Sequence, residues 1–329
     1  MNQVCIVIPY FGKFPEYFPL FLKTCAYNPS FTWLIYTDDK RPFDYPDNVK
    51  VKYCTFDDVQ KKIESKFPFK IELTKPYKLC DYRIAYGDIF ADDLRGYEFW
   101  GFCDVDLLFG NLGQFITEDV LRHNDRILAR GHLTLLRNTD EINKIYKSRS
   151  KSLFVDYQYA FTTKYCCHFD EFEPWLSVFE ENHLRQWIMP IMADINPDKY
   201  LFHLVGNTKD QDRQVFCWHK GRLKRLYISD GIIQKDEWAY IHFQKRNMLV
   251  MCNAHSDNDT VVIVPNELLV DDNIEINKSF IKRHSSEALS HHLYLSRRVN
   301  RLKEIFNNVK NGALSYRRKR YLSDIKGDK

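Results

Sequence analysis

The sequence predicts an α/β protein: a mostly parallel sheet flanked by helices, short antiparallel strands toward the C-terminus, and a basic helical tail. Three observations carry that expectation. Over the first 110 residues apolar runs alternate with helix-like stretches, the pattern of βαβ units. From Lys220 onward the runs shorten and alternate, as in GRLKRLYIS, EWAYIHF, MLVMC and TVVIVP, which fits mixed or antiparallel pairing. Charge is divided as well, since residues 291–329 hold 11 Lys/Arg against 3 Asp/Glu and residues 1–290 hold 37 against 41.

The opening run VCIVIPY stops at Pro9 and is followed by Gly12 and the amphipathic stretch PEYFPLFLKTCAYNP, which reads as a helix bordered by prolines. FTWLIYTDD is a second apolar run ending in two acids, and VKVKYC a short third strand. FDDVQKKIESKF reads as a helix, as does KPYKLCDYRIAYGDIFADDL, where Leu79, Tyr82, Tyr86 and Phe90 recur at helical spacing. EFWGFCDVDLLFG then reads as a strand whose end carries Asp104 and Asp106. In a parallel sheet the ligand crevice lies outside the carboxyl ends of the strands, which would gather Tyr10, Asp38, Asp39, Asp104 and Asp106. The middle, from Gly113 to about Pro197, reads as helix-rich with one strand at DRILARGHLTLLRN. The tail from His291 places Leu293, Leu295, Val299, Leu302, Ile305, Phe306 and Val309 at near-helical spacing beside Arg297, Arg298, Arg301 and Lys303.

Composition narrows the classes. With 329 residues, 44% hydrophobic and 28% charged, the chain is long enough for one large core and is neither disordered nor fibrous. Aromatics reach 15%, which supplies core first and ring-stacking surfaces second. Nine cysteines form an odd set without a C-x-x-C pair, so neither a zinc framework nor a disulfide framework is expected. The start, MNQVCIVIPYFG, has no basic leader, and no run approaches the ~20 apolar residues of a membrane span. A cytoplasmic location is the expectation. No G-x-x-x-x-G-K-[ST] loop, dinucleotide glycine fingerprint, H-E-x-x-H or G-x-S-x-G elbow occurs, which argues against an NTPase, a dehydrogenase, a zincin and an α/β-hydrolase.

The sharpest chemical signal is Asp104-Val105-Asp106 after the aromatic run. Strand alternation would put both acids on one side, roughly 6–7 Å apart, a spacing able to share one hard cation. Such a cation, Mn2+ or Mg2+, can bridge a nucleoside diphosphate and neutralise its charge as it leaves. A second constellation, His168-Phe-Asp170-Glu171-Phe-Glu173-Pro-Trp175, could position an acceptor sugar on Trp175 or a phenyl face. In an inverting transfer Asp170 or Glu171 would take the acceptor proton; the same acids also suit a helix start. Asp194 is a further candidate.

IPYFG, YTDD, KPYKLCDYRIAYGDIF and FWGFCDVDLLFGNL together resemble the nucleotide-binding half of GT-A glycosyltransferases with an aspartate-x-aspartate motif. More narrowly, they resemble the glycosyltransferase-like proteins of bacterial capsule and lipopolysaccharide clusters. The resemblance covers residues 1–115 and resumes at AYIHFQKRNM and VVIVPNE. It implies a GT-A-like (Rossmann-like) catalytic domain over residues 1–285, with a nucleotide-binding half at 1–115 and an acceptor-side half at 116–285. Residues 286–329 form the tail.

The resemblance also implies roles. Pro9 and Tyr10 would lie beside the nucleoside, and Asp38 or Asp39 would accept a hydrogen bond from base or ribose. Asp81 would meet a sugar or ribose hydroxyl, and Arg83 would meet phosphate or orient the acids. Asp104, Asp106 and His242 would bind the metal, with Lys245 and Arg246 at the diphosphate, where fixed cations stabilise the leaving group. The implied partners are a nucleoside diphosphate sugar, with UDP favoured, and a glycan or lipid-linked glycan acceptor in surface polysaccharide synthesis. The resemblance does not cover the basic tail, whose amphipathic pattern suits either an anionic membrane at the inner face of the cytoplasmic membrane or a solvated helix packed on the body; no nucleic acid is expected. The same cradle would serve a nucleotidyltransferase, a sugar-nucleotide hydrolase or a noncatalytic nucleotide-sugar or glycan binder.

Overall fold

The computed structural model describes residues 3–171, 173–206, 209–244, 246–252, 258–286 and 305–319. Its strands in chain order are β1 (Val4–Pro9), β2 (Phe31–Thr37), β3 (Val49–Tyr53), β4 (Phe99–Cys103), β5 (Leu107–Phe109), β6 (Arg126–Arg130), β7 (Leu133–Arg137) and β8 (Gln186–Trp187). There follow β9 (Met192–Asp194), β10 (Gln214–His219), β11 (Arg222–Ser229), β12 (Ile232–Trp238), β13 (Tyr240–His242), β14 (Leu249–Cys252), β15 (Thr260–Val264) and β16 (Glu267–Val270). They make three sheets flanked by helices, a mixed α/β fold.

The central sheet runs β3-β2-β1-β4-β7-β6-β8. Its first four strands are parallel, whereas β7 is antiparallel to both β4 and β6. Alternation buries both faces. Val4, Ile6 and Ile8 join the layer under helix Phe18–Ala26, which presents Phe18, Phe21 and Leu22. Cys5 and Val7 join the opposite layer, where helix Phe56–Glu64 adds Val59 and Ile63. That second helix begins with a capping box between Thr55 and Asp58, satisfying two otherwise unpaired backbone donors. The 75–94 stretch is mainly a 3-10 helix, Pro76–Ala85, followed by the short helix Tyr86–Ile89. Leu79, Tyr82, Tyr86 and Phe90 are all buried as the spacing required.

The later strands pair mostly antiparallel. A six-stranded sheet, β12-β11-β10-β15-β16-β14, is antiparallel except at β14–β16. The expected strand EFWGFCDVDLLFG divides: β4 ends at Cys103, residues 104–106 bend away, and β5 enters a three-stranded sheet in the order β5-β13-β9. DRILARGHLTLLRN is a hairpin, β6–β7, that turns at Gly131 and His132 and carries a bulge between Ile127 and Arg130, where Leu128 takes a positive φ of 61°.

Helical turns occupy residues 305–310 and 313–319. Ala313 is buried, the Tyr316 ring lies 5.1 Å from that of Tyr165, and the Lys319 ammonium sits 4.0 Å from the centre of the Tyr159 ring. The expected tail positions from Leu293 to Lys303 lie outside the described residues. No helix among the described residues is long and apolar enough to cross a membrane.

Asp125 secures the far edge of the central sheet. Its carboxylate accepts from Arg137 Nε at 3.1 Å and from Arg185 backbone N at 2.9 Å and Nε at 3.2 Å. Burial alone would raise its pKa, but the bonds from Arg185 and Arg137 outweigh burial and hold it below the ordinary value. A depressed carboxylate stabilises the fold above its unfolded pKa of ~4 and loses that contribution as pH falls through the folded value. We predict that Asp125→Asn lowers the unfolding free energy by about 2 kcal/mol at pH 7. The wild-type advantage should shrink below pH ~4, which urea melts across pH would read.

Candidate functional site

The chain runs outward from β1 through β2 to β3, then returns to the other side of β1 as β4. The strands therefore reverse order between β1 and β4, where an open α/β sheet leaves a crevice at its carboxyl edge. Pro9 and Tyr10 at the end of β1 and Asp104 after β4 line an open cleft of about 2410 Å³. That volume exceeds the ~300–1,000 Å³ of a single small-ligand pocket, so two reactants have room.

Asp106 reaches the cleft because the bend after β4 is fixed at both ends. Asp104 N donates to His132 O at 3.2 Å, and Phe243 N donates to Asp106 O at 2.9 Å. β13 lies between β5 and β9, with His242 opposite Leu107 on one side and Asp194 on the other. His242 Nε2 is 3.4 Å from Asp106 Oδ1 and 3.8 Å from Asp104 Oδ2, and Nδ1 is 2.8 Å from Asp194 Oδ1. Gln244 Nε2 donates to the same Asp194 oxygen at 2.6 Å.

Burial would lower the His242 pKa, yet the Asp106, Asp194 and Asp104 carboxylates raise it to about 10. The carboxylates thus draw positive charge to this point. Neighbouring His132 behaves oppositely: burial and the facing His242 lower it to about 3, so this imidazole is neutral. The Tyr240 hydroxyl lies 3.1 Å from its Nδ1.

Arg83 ties the cluster to the opposite wall. Its guanidinium donates to Asp104, to Gly131 O at 2.7 Å and to Asp170 Oδ2 at 3.1 Å. Asp170 is 1% exposed, and burial pushes it up to about 7 against the pull of Arg83. Glu171 also lines the cleft, but it pairs with His168, whose Nδ1 is 3.3 Å away. That hydrogen bond holds Glu171 below its ordinary range and raises His168 to about 9.

The ligand atoms of Asp104, Asp106 and His242 all lie within 4.8 Å of one another, and His132, Asp194 and His242 form an overlapping group. Two carboxylates and an imidazole are a donor set for a divalent metal ion. His242 commits Nδ1 to Asp194, the carboxylate–histidine arrangement that fixes a ligating ring and leaves Nε2 toward the acids. The residues present fit a divalent cation.

Several expected site residues make contacts within the fold. Asp38 accepts from Gly12 N at 2.8 Å; Asp39 is buried, accepting from Phe14 N at 2.9 Å and pairing with Arg41. Neither lines the cleft. Asp81 is fully buried and accepts from Lys78 Nζ at 2.6 Å, Cys167 N at 3.0 Å and Phe169 N at 2.9 Å. Its carboxylate is used in pinning the 165–169 loop and cannot meet a sugar hydroxyl. Arg246, although at the cleft wall, is spent on backbone carbonyls including Asn196 O and Tyr200 O, both at 2.8 Å. Trp175 is core at 1% exposure, donating to Phe169 O, so it offers no stacking face. Lys245 lies outside the described residues. His132 and Gln244 went unread in the sequence; alternation from His242 pointed to Gln244, and an isolated histidine in the ARGHL turn was the only trace of His132.

The family model for a family of unknown function (DUF6625) matches residues 6–272, and the chain belongs to that family. No curated protein matches the sequence. Among solved structures, the apo form of mouse xyloside xylosyltransferase 1 is similar with a TM-score of 0.34 and 10% identity, covering 60% of this chain and 88% of that one. At that overlap the chemistry has to be read from the residues themselves.

Asp81→Ala should lower the unfolding free energy by about 3–5 kcal/mol, because the Lys78 ammonium would be left buried without its partner. Denaturant melts measure this; a loss below about 1 kcal/mol would remove Asp81 from its structural role.

Proposed function

We propose that this protein is a metal-dependent glycosyltransferase that moves a hexosyl unit from a nucleoside diphosphate sugar, with UDP favoured, to a glycan or lipid-linked glycan acceptor of surface polysaccharide. The observation that carries the reading is the Asp104–Asp106–His242 cluster at the sheet's reversal point, inside a cleft large enough for donor and acceptor. In this reading residues 1–115 form the nucleotide half, residues 116–285 the acceptor half and residues 286–329 the tail.

Asp104, Asp106 and His242 would hold Mn2+ or Mg2+, whose chemistry when bound is to neutralise charge on a diphosphate. Asp194 orients His242 through Nδ1. Pro9 and Tyr10 flank the nucleoside side of the cleft. As the bond from the hexosyl C1 to the diphosphate breaks, negative charge grows on the departing nucleotide, and Arg83 supplies a fixed cation toward it. Asp170 acts through Arg83 as a positioning residue. The acceptor hydroxyl oxygen forms the new bond to C1 as the diphosphate leaves, and with Glu171 engaged by His168 its proton passes to the departing diphosphate oxygen.

Exposed Ile305, Phe306, Val309 and Leu314 share the 305–319 segment with Lys310, Arg317 and Arg318. This combination suits an anionic lipid surface and supports a peripheral, cytoplasmic-face location. Cosedimentation with phosphatidylserine vesicles should then be salt-sensitive and weaken when Phe306 is changed to Ser; salt-independent binding or none would contradict it.

The direct test is a radiolabelled UDP-hexose incubated with and without glycan acceptor. Label should move to acceptor only when Mn2+ or Mg2+ is present, and Asp106→Ala should cost about 10²–10³-fold in rate while keeping the wild-type melt. Glu171→Gln should cost less than about 10-fold. Acceptor-independent release of free hexose would indicate a hydrolase, and pyrophosphate release a nucleotidyltransferase. A folded Asp106→Ala protein of normal activity would overturn the assignment.

A further inference from the structure

A second group of ligating side chains lines the same cleft on the wall opposite the acids. Cys80 and Cys166, 86 residues apart in sequence, bring their sulfurs to 2.8 Å, and both are free thiols. The His168 imidazole joins them, the three ligand atoms lying within 4.8 Å of one another.

The group is held by structure on every side. Cys80 belongs to the 3-10 helix Pro76–Ala85, whereas Cys166 and His168 sit on the loop before helix Glu173–Glu181. Asp81 clamps that loop through Cys167 N and Phe169 N, and Lys78 Nζ donates to Tyr165 O at 2.8 Å. The frame fixes the loop, and the two sulfurs have to part from 2.8 Å to the ~3.7 Å spanned by two tetrahedral zinc–sulfur bonds. His168 also takes a positive φ of 52°, a strained conformation for a non-glycine residue and one that collects at functional sites. Its Nδ1 lies 3.3 Å from Glu171, a carboxylate contact of the kind that supports ligating imidazoles.

We propose that Cys80, Cys166 and His168 form a site for a soft divalent cation of the zinc class, separate from the Asp104–Asp106–His242 cluster. Two thiolates and an imidazole match the Cys₂His ligand set of zinc and disfavour Mg2+. Three protein ligands leave a fourth position, and all three residues line the cleft, so that position is open to a ligand entering it. Bound metal would cross-link the Arg83-bearing helix to the loop that carries Asp170. The assignment does not rest on glycosyl transfer.

The test uses the full chain, reduced and stripped with a chelator, titrated with Co2+ and then Zn2+. Thiolate-to-cobalt charge transfer in the near ultraviolet separates this site from the Asp104–Asp106–His242 cluster, because carboxylate and imidazole ligands do not produce it. One equivalent of Co2+ should develop the band, and Zn2+ should bleach it. Cys166→Ser should abolish it and His168→Ala should weaken Co2+ affinity at least ~10-fold. Cys80 is buried, so the partly exposed Cys166 and His168 are the informative positions if Cys80→Ser fails to fold. Absence of the band in folded, reduced protein would overturn the site, as would its persistence in Cys166→Ser. An isolated protein whose Cys80 and Cys166 are joined in a disulfide, and which takes up no Co2+ after reduction, would do the same. Loss of Mn2+-dependent sugar transfer with an intact charge-transfer band would instead count against the glycosyltransferase reading.

Discussion

Charge balance at the end of β4 governs this molecule. Asp104, Asp106, Asp170 and Asp194 converge there from three chain segments, and Arg83 and His242 meet them. Like charges this close raise each other's energy unless cations compensate. Arg83 satisfies that requirement from the 3-10 helix, and His242 from a strand more than 100 residues downstream of Asp106. The three-stranded sheet makes the second connection possible: β13 must lie between β5 and β9 for His242 to face acids on both sides. A register slip of one residue would turn His242 to the other face and leave the carboxylates without it.

The buried Asp81–Lys78 pair is the complementary structural device. It anchors the loop carrying Cys166, His168 and Asp170, so one interior ion pair sets the geometry of the whole opposite wall of the cleft. Thiol, carboxylate and imidazole groups are thereby carried on backbone held by these hydrogen bonds. On this wall burial pushes Asp170 above the ordinary carboxylate range.

Much of this was legible in the residues, and the failures have a common cause. Strands β1 to β4 and their helices follow from apolar periodicity, and Asp104 and Asp106 stand out because acids interrupt a continuous aromatic run. His242 was marked only by the resemblance, since a strand histidine carries no local signal of what lies across the sheet. Asp38, Asp39 and Asp81 were placed near a strand end or on a facing helix correctly, but sequence does not reveal whether a carboxylate turns toward solvent or toward backbone N–H groups. The break after Cys103 was hidden because β5 stays apolar while changing sheets. Cys80 and Cys166 were invisible as a pair for the same reason as His132: their meeting depends on long-range chain return, which periodicity does not encode.

Calorimetric titration of UDP and GDP, with and without Mn2+, tests the central claim most directly. The account predicts that at least one nucleotide binds wild-type protein, that Mn2+ tightens binding by about 10–100-fold, and that His242→Ala removes that gain. Failure of both nucleotides to bind with or without Mn2+, or equal metal-independent binding by wild-type and His242→Ala proteins, would contradict it.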